Sequence, residues 1–247
     1  MTLLKLGGSV ITDKDRAETV DGEALEEAAV AIARALESGS VDDLVVVHGA
    51  GSFGHVHASE HGVTTTVGTH DPTAIHAIHG AMKDLDGFVL QRLLEQDVPA
   101  VPVHPLSTAH RDSDGRLHLP TGQIQTMLAE GFVPVLHGDL VAHERAGATV
   151  VSGDELIAEL AEALESERIG LCSTVPGVLD GDGDVVERID SYEDVASILG
   201  ESESTDVTGG IAAKVQGLLA LEVEASIFGL EALPDFLEGQ MVGTTID

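Results

Sequence analysis

Short apolar runs rich in β-branched residues alternate along the chain with longer segments whose apolar residues return every three or four positions. The runs 3–6, 44–48, 100–103, 132–136, 168–172 and 225–228 predict strands, and segments 22–37, 72–95, 121–130, 154–165, 192–199 and 210–221 predict helices. Strand and helix taking turns in this way is the pattern of an α/β domain with a mainly parallel sheet. Two hairpin-like insertions break the order, turning around 112–115 and 145–147, and 180–184 reads as a further turn. A polar loop is expected over 201–208. Nothing Pro- or Ser-rich divides the chain, so one domain is expected.

In such a sheet, ligands bind where strands run into helices and unpaired backbone N–H groups point outward. Four of these junctions are rich in Gly, Ser and Asp. The first is Lys5-Leu6-Gly7-Gly8-Ser9, followed by Thr12-Asp13-Lys14, where glycines allow close backbone approach and lysines supply point charge for phosphate oxygens. Its spacing does not fit a P-loop. The second, His48-Gly49-Ala50-Gly51-Ser52-Phe53-Gly54-His55, satisfies G-x-G-x-x-G and nearly satisfies G-x-S-x-G. A dinucleotide fold would place that motif on the first strand, and neither that reading nor a hydrolase explains the lysines. The third pairs Gly138-Asp139 with Ser152-Gly153-Asp154, residues that also suit a helix N-cap. In the fourth, Asp206-Val207-Thr208-Gly209-Gly210 leads to Lys214 one turn into a helix.

Charge sharpens the choice. The formal net charge is −31, which opposes unaided binding to nucleic acid or an anionic membrane surface. An acidic surface over an aliphatic core reads as adaptation to a salty cytoplasm, where salt screens the repulsion. No apolar run reaches the roughly 18 to 20 residues of a membrane span, and no signal segment is read at the start, so a cytoplasmic location is expected. The lysines are only Lys5, Lys14, Lys83 and Lys214. In a chain so depleted of surface lysine, three of four beside glycine-rich turns point to phosphate binding, whereas Lys83, amid Asp84 and Asp86, reads as a solvated residue. The single Cys172 reads as a small buried residue. Histidines cluster at His55, His57 and His61 and at His76 and His79, but no protein-ligated metal is expected from them.

Taken in order over nearly the whole chain, the four junctions resemble the amino-acid kinase family, whose members move the γ-phosphoryl of ATP to a small acceptor. The resemblance implies a three-layer αβα sandwich, ATP with Mg2+ arriving on the nucleotide, and a homodimer. It implies an acceptor-binding half over 1–150 and a nucleotide-binding half over 151–247. Lys14 is then expected at the transition state, with Lys5 and Lys214 on the ATP phosphates. Gly7, Gly8, Ser9, Gly51, His55, Gly209 and Gly210 would contact the nucleotide phosphates, and Asp154 the nucleotide side. Ala50, Gly51, Gly54, His55, Gly138 and Ser152 would receive the acceptor. Ala50 stands where a third glycine is common, and Ser173 precedes the Pro176-Gly177-Val178 turn where relatives often carry an acid. His55 resembles the branch whose acceptor is an isoprenoid monophosphate, because a phosphate acceptor calls for a hydrogen-bond donor that also carries a proton. Phe53 with Ile75, Ile78, Met82, Phe88 and Val89 is expected to wall the isoprenoid tail. Another acceptor, such as a phosphonate antibiotic, a carboxylate or a carbamate, is the alternative, and a non-catalytic ligand-binding relative a further one.

Overall fold

In the computed structural model, which describes residues 1–193, 210–221 and 223–247, eight apolar strands form one sheet. They are β1 (Thr2–Leu6), β2 (Leu44–His48), β3 (Ala100–Pro102), β6 (Val133–His137), β9 (Arg168–Ser173), β10 (Arg188–Ile189), β11 (Ala225–Gly229) and β12 (Thr244–Ile246). Their order is β10-β12-β11-β9-β1-β2-β6-β3, parallel throughout except where β12 runs antiparallel to β11. A smaller sheet joins β4 (His110–Arg111), β5 (Leu117–His118), β7 (Asp139–His143) and β8 (Gly147–Val151). These are the two expected hairpins, β4 with β5 and β7 with β8.

The helices are α1 (Gly8–Ile11), α2 (Gly22–Ser38), α3 (Gly51–Glu60), α4 (Pro72–Glu95), α5 (Pro105–Thr108), α6 (Gly122–Ala129), α7 (Gly153–Ala163), α8 (Gly210–Leu219) and α9 (Leu233–Leu237). Because successive strand residues face opposite sides, the sheet divides its apolar side chains between two cores. Leu4, Leu6, Leu44 and Val46 join the stripes of α2, α4 and α9 in one. Leu3, Val45 and Val47 join α6, α7 and α8 in the other. Two cores on either face of one sheet are the expected three layers.

Local chemistry fixes the ends of the longest helices. Asp21 caps α2 by accepting from Ala24 N, and Gly39 closes it at φ 72°. Asp71 caps α4 ahead of Pro72. The segment 192–199 passes, after Glu193, outside the described residues, as do the loop 201–208 and Gly209.

The expected glycine-rich loop ending at His55 is helical instead: α3 begins at Gly51, with His55 one turn inside it. Cys172 lies buried at the end of β9. Desolvation by burial, reinforced by the charges of Glu231 and Glu27, pushes its thiol up to about 12. Thiol-directed reagents at mildly alkaline pH are therefore expected to leave the native chain unlabelled and to modify one thiol after denaturation. Stoichiometric labelling of the native chain would show that this end of β9 opens readily.

Candidate active site

The carboxyl ends of β1, β2, β6 and β9 border a cavity of about 900 Å³. That is the upper end of ordinary small-molecule sites, with room for a nucleotide and a second small substrate. The strand order gives the cavity two ends. Ser173, Thr174, Val175 and Ile211 line it beside β9 and α8, whereas α3, α4 and Gly138 line it beside β2 and β6.

Lys5 lies in β1 at the same parity as Leu3, so its side chain rises on the α7 face. There Lys5 Nζ donates to Asp154 Oδ1 at 2.7 Å, with the two side chains 10% and 27% exposed. The start of α7 is held rigidly for this contact. Ser152 Oγ accepts from Glu155 N at 3.1 Å, and Glu155 Oε2 accepts from Ser152 N at 2.9 Å, a complete capping box. Ser152, expected at the acceptor, does line the cavity, but its hydroxyl is engaged in this cap.

The first two glycine junctions interlock backbone against backbone. A Cβ on Gly8 would collide with the main chain of Gly51, which itself sits at φ 49° against Thr12. Thr12 Oγ1 donates to Gly8 O at 2.8 Å and accepts from Ser52 N at 3.0 Å, stapling the end of β1 to the start of α3. Sequence reasoning placed Thr12 in the motif without seeing this role, because the partner is distant along the chain.

Gly7, Gly8, Ser9 and Lys14 line the cavity from the first junction, and Ala50, Gly51, Gly54 and His55 from the second. Gly138, Asp154 and Lys214 line it as well, while Gly210 opens the helix carrying Lys214 and is not among the described lining residues. Lys14 is exposed at the cavity, in contrast to buried Lys5. Beside His55, an apolar wall is built by Ala58, Val63, Ile78, Met82 and Val150. Of the residues expected to wall the tail, Ile78 and Met82 line the cavity, but Phe53, Ile75, Phe88 and Val89 do not. Phe53 and Val89 belong to the core under the sheet, Ile75 packs behind the wall, and Phe88 is 49% exposed with its ring edge against Phe53.

Sequence reasoning missed a polar network under the β2 and β6 end. Asp139 lines the cavity, is 3% exposed, and accepts from His79 Nδ1 at 2.9 Å. His137, fully buried, has its pKa lowered to about 4, chiefly by desolvation, with the charge of Asp139 opposing the shift. It is a neutral ring at physiological pH. Its Nδ1 donates to Gly138 O at 3.0 Å, which fixes the carbonyl of a cavity residue.

The amino acid kinase family model matches residues 1–227. An isopentenyl phosphate kinase of Haloferax volcanii is 56% identical over 246 residues, covering 100% of this chain and 98% of that protein. One of Methanothermobacter thermautotrophicus is 36% identical over 264 residues, covering 100% and 97%. Among solved structures, one described as isopentenyl phosphate kinase superposes with a TM-score of 0.84 at 30% identity, covering 100% of this chain and 99% of that one. The Thermoplasma acidophilum enzyme in its product complex superposes at 0.78 with 25% identity, both chains fully covered. With the family model matching most of the chain and relatives matching its full length, the chain belongs to the amino acid kinase family.

Proposed function

We propose that the chain transfers the γ-phosphoryl group of ATP to isopentenyl phosphate, giving isopentenyl diphosphate and ADP. The observation that carries this reading is convergence: Lys5, Lys14, Lys214 and His55 line one cavity whose His55 end has an apolar wall. An acceptor oxygen attacks the γ-phosphorus as the bond to the ADP oxygen breaks. Such transfer is largely positioning and charge stabilisation, which the lysines are suited to supply. His55 donates a hydrogen bond to the acceptor phosphate, a group that otherwise brings like charge toward ATP. The identity and full-length coverage of the named relatives support the same acceptor.

The cavity suits a polyphosphate, because glycines and Lys5, Lys14 and Lys214 line it together. Magnesium supplies charge neutralisation on those phosphates when it arrives with ATP. Asp154 and Lys5 hold each other in place on the nucleotide side. In this reading residues 1–150 carry the acceptor half and 151–247 the nucleotide half, and the working form is a cytoplasmic homodimer, a state that light scattering during size exclusion reads directly. The charge of −31 further suggests a high-salt habitat, so the melting temperature should climb as KCl is raised from dilute buffer. A melting temperature that falls with KCl would count against it.

The direct test is ADP release from MgATP with isopentenyl phosphate, dimethylallyl phosphate, acetylglutamate, carbamate and fosfomycin offered separately. Turnover of the prenyl phosphates alone is the expected result; no turnover of any monophosphate overturns the proposal. Shortening the apolar wall supplies a second check. Ile78→Ala should raise the kcat/KM of geranyl phosphate relative to isopentenyl phosphate by about tenfold, at a stability cost of about 2–4 kcal/mol for the buried side chain. An unchanged ratio would place the tail elsewhere.

A further inference from the structure

Two strands of the sheet, 44–48 and 133–137, each end an apolar run in histidine, and parallel register sets those histidines side by side, His48 against His137. Both are at the parity that faces α4, and both rings are fully buried, stacked with centroids 5.5 Å apart. Each is anchored in the same way: Nδ1 of His48 donates to Gly49 O at 3.1 Å, and Nδ1 of His137 to Gly138 O at 3.0 Å. A carbonyl only accepts, so these bonds hold a proton on each Nδ1, and a ring without a second proton directs a lone pair inward from Nε2.

What the His48 lone pair meets is a carboxylate, whereas that of His137 accepts from His104 Nδ1 at 2.9 Å. Asp86 sits in the apolar stripe of α4, one turn beyond Met82, and is 1% exposed. Its ion-pair partners among the described residues are histidines: His48 Nε2 is 3.4 Å from Oδ1, and His104 Nδ1 is 3.8 Å from Oδ2. Neither His48 Nε2 nor Asp86 Oδ1 has a hydrogen-bond partner. A buried carboxylate facing a lone pair is strongly unfavourable unless a cation or proton lies between or beside them. His104, the N-cap of α5, completes the cluster with Nδ1 at 2.9 Å from His137 Nε2 and a side chain 30% exposed, which leaves a route in from solvent.

We propose that Asp86, His104 and His137 form a binding site for a divalent transition-metal ion of the zinc class, whose charge relieves the buried Asp86 carboxylate facing His48. One ligand atom from each of the three residues lies within 4.8 Å of the others. Two ligands on a tetrahedral zinc stand about 3.3 Å apart, and His104 Nδ1 already lies 2.9 Å from His137 Nε2 and 3.8 Å from Asp86 Oδ2. One carboxylate and two imidazoles, with a position left for water, are a donor set such ions accept. The His137 anchor to a backbone carbonyl is the outer hydrogen bond that metal-binding histidines ordinarily make. On binding, the ion takes the place of the proton shared between His104 and His137, and His104 carries its ring proton on Nε2 instead. The ion would pin β6, α4 and the start of α5 together beneath Gly138, at the end of the cavity assigned above to the acceptor.

Cobalt is the probe, added to chelator-treated full-length chain in high KCl with excess Mg2+ to occupy surface carboxylates. One equivalent of Co2+ should develop visible d–d bands, which Zn2+ then abolishes. Asp86→Asn and His104→Gln should each weaken binding by more than about 100-fold. Absence of the bands, or bands of equal strength in Asp86→Asn and His104→Gln, overturns the site. Should those variants fail to fold, proton–nitrogen correlation spectra of the unmutated chain decide the matter. A stoichiometric Zn2+ titration must move the His104 Nδ1 and His137 Nε2 resonances, and resonances that stay fixed overturn the proposal equally.

Discussion

Exchanging His55 for alanine is expected to lower kcat/KM for isopentenyl phosphate by about 10²- to 10³-fold while changing MgATP affinity by less than about threefold. The reasoning is positional. His55 projects from the first turn of α3 into the cavity, on the side walled by Ala58, Ile78 and Met82 rather than beside β9 and α8. An acceptor phosphate placed there loses its hydrogen-bond donor, and like-charge repulsion against the γ-phosphate rises as the two approach. Loss of one preorganised donor at a developing charge has effects of this size. His55→Gln, which keeps a donor, should recover part of the loss. Nucleotide affinity is read separately by calorimetry with a non-hydrolysable ATP analogue. Equal losses in acceptor turnover and nucleotide affinity would move His55 to the nucleotide phosphates and remove the main argument for a phosphate acceptor.

The sequence was most informative where local chemistry decides structure. The helix Pro72–Glu95 was legible to the residue because Asp71 and Pro72 mark its start and its stripe holds for many turns. The strand Leu44–His48 was legible because a β-branched run ends abruptly at glycine. By contrast α3 has almost no apolar periodicity, and its N-terminus exists because Thr12, far off in sequence, grips Ser52. The site was legible through scarcity: with so few lysines, their places beside glycine turns stood out. Its interior was not. Nothing local says that His48 and His137 are register partners, or that Asp86, in the same helix as exposed Lys83, turns toward them. Phe88 misled for a related reason. It shares the apolar character of Ile78 and Met82, but helical phase turns it outward to solvent.

Lys5→Ala should be the most damaging of the lysine substitutions, lowering kcat/KM by about 10³-fold or more with little loss of folded protein. Lys5 is 8% exposed in a central strand, and its amine is set by Asp154 at 2.7 Å. Lys14, by comparison, is exposed at the cavity, and truncating it removes charge already screened by solvent. A partly buried amine held by a rigid helix start requires little reorganisation as charge develops on the transferred phosphoryl group, which is why its removal costs more. Lys5→Arg should not restore the rate. A planar guanidinium is longer than the compact amine and would not keep its charge at the place that Asp154 sets. Asp154→Asn should lower the rate less than Lys5→Ala, because it leaves the amine present but loosely placed. Steady-state kinetics on the three variants, with circular dichroism to confirm folding, checks this ranking. If Lys5→Ala kept activity within about tenfold of the parent, the Lys5–Asp154 pair would be a structural tie across β1 and α7, and phosphate charge would have to be met by Lys14 and Lys214 instead.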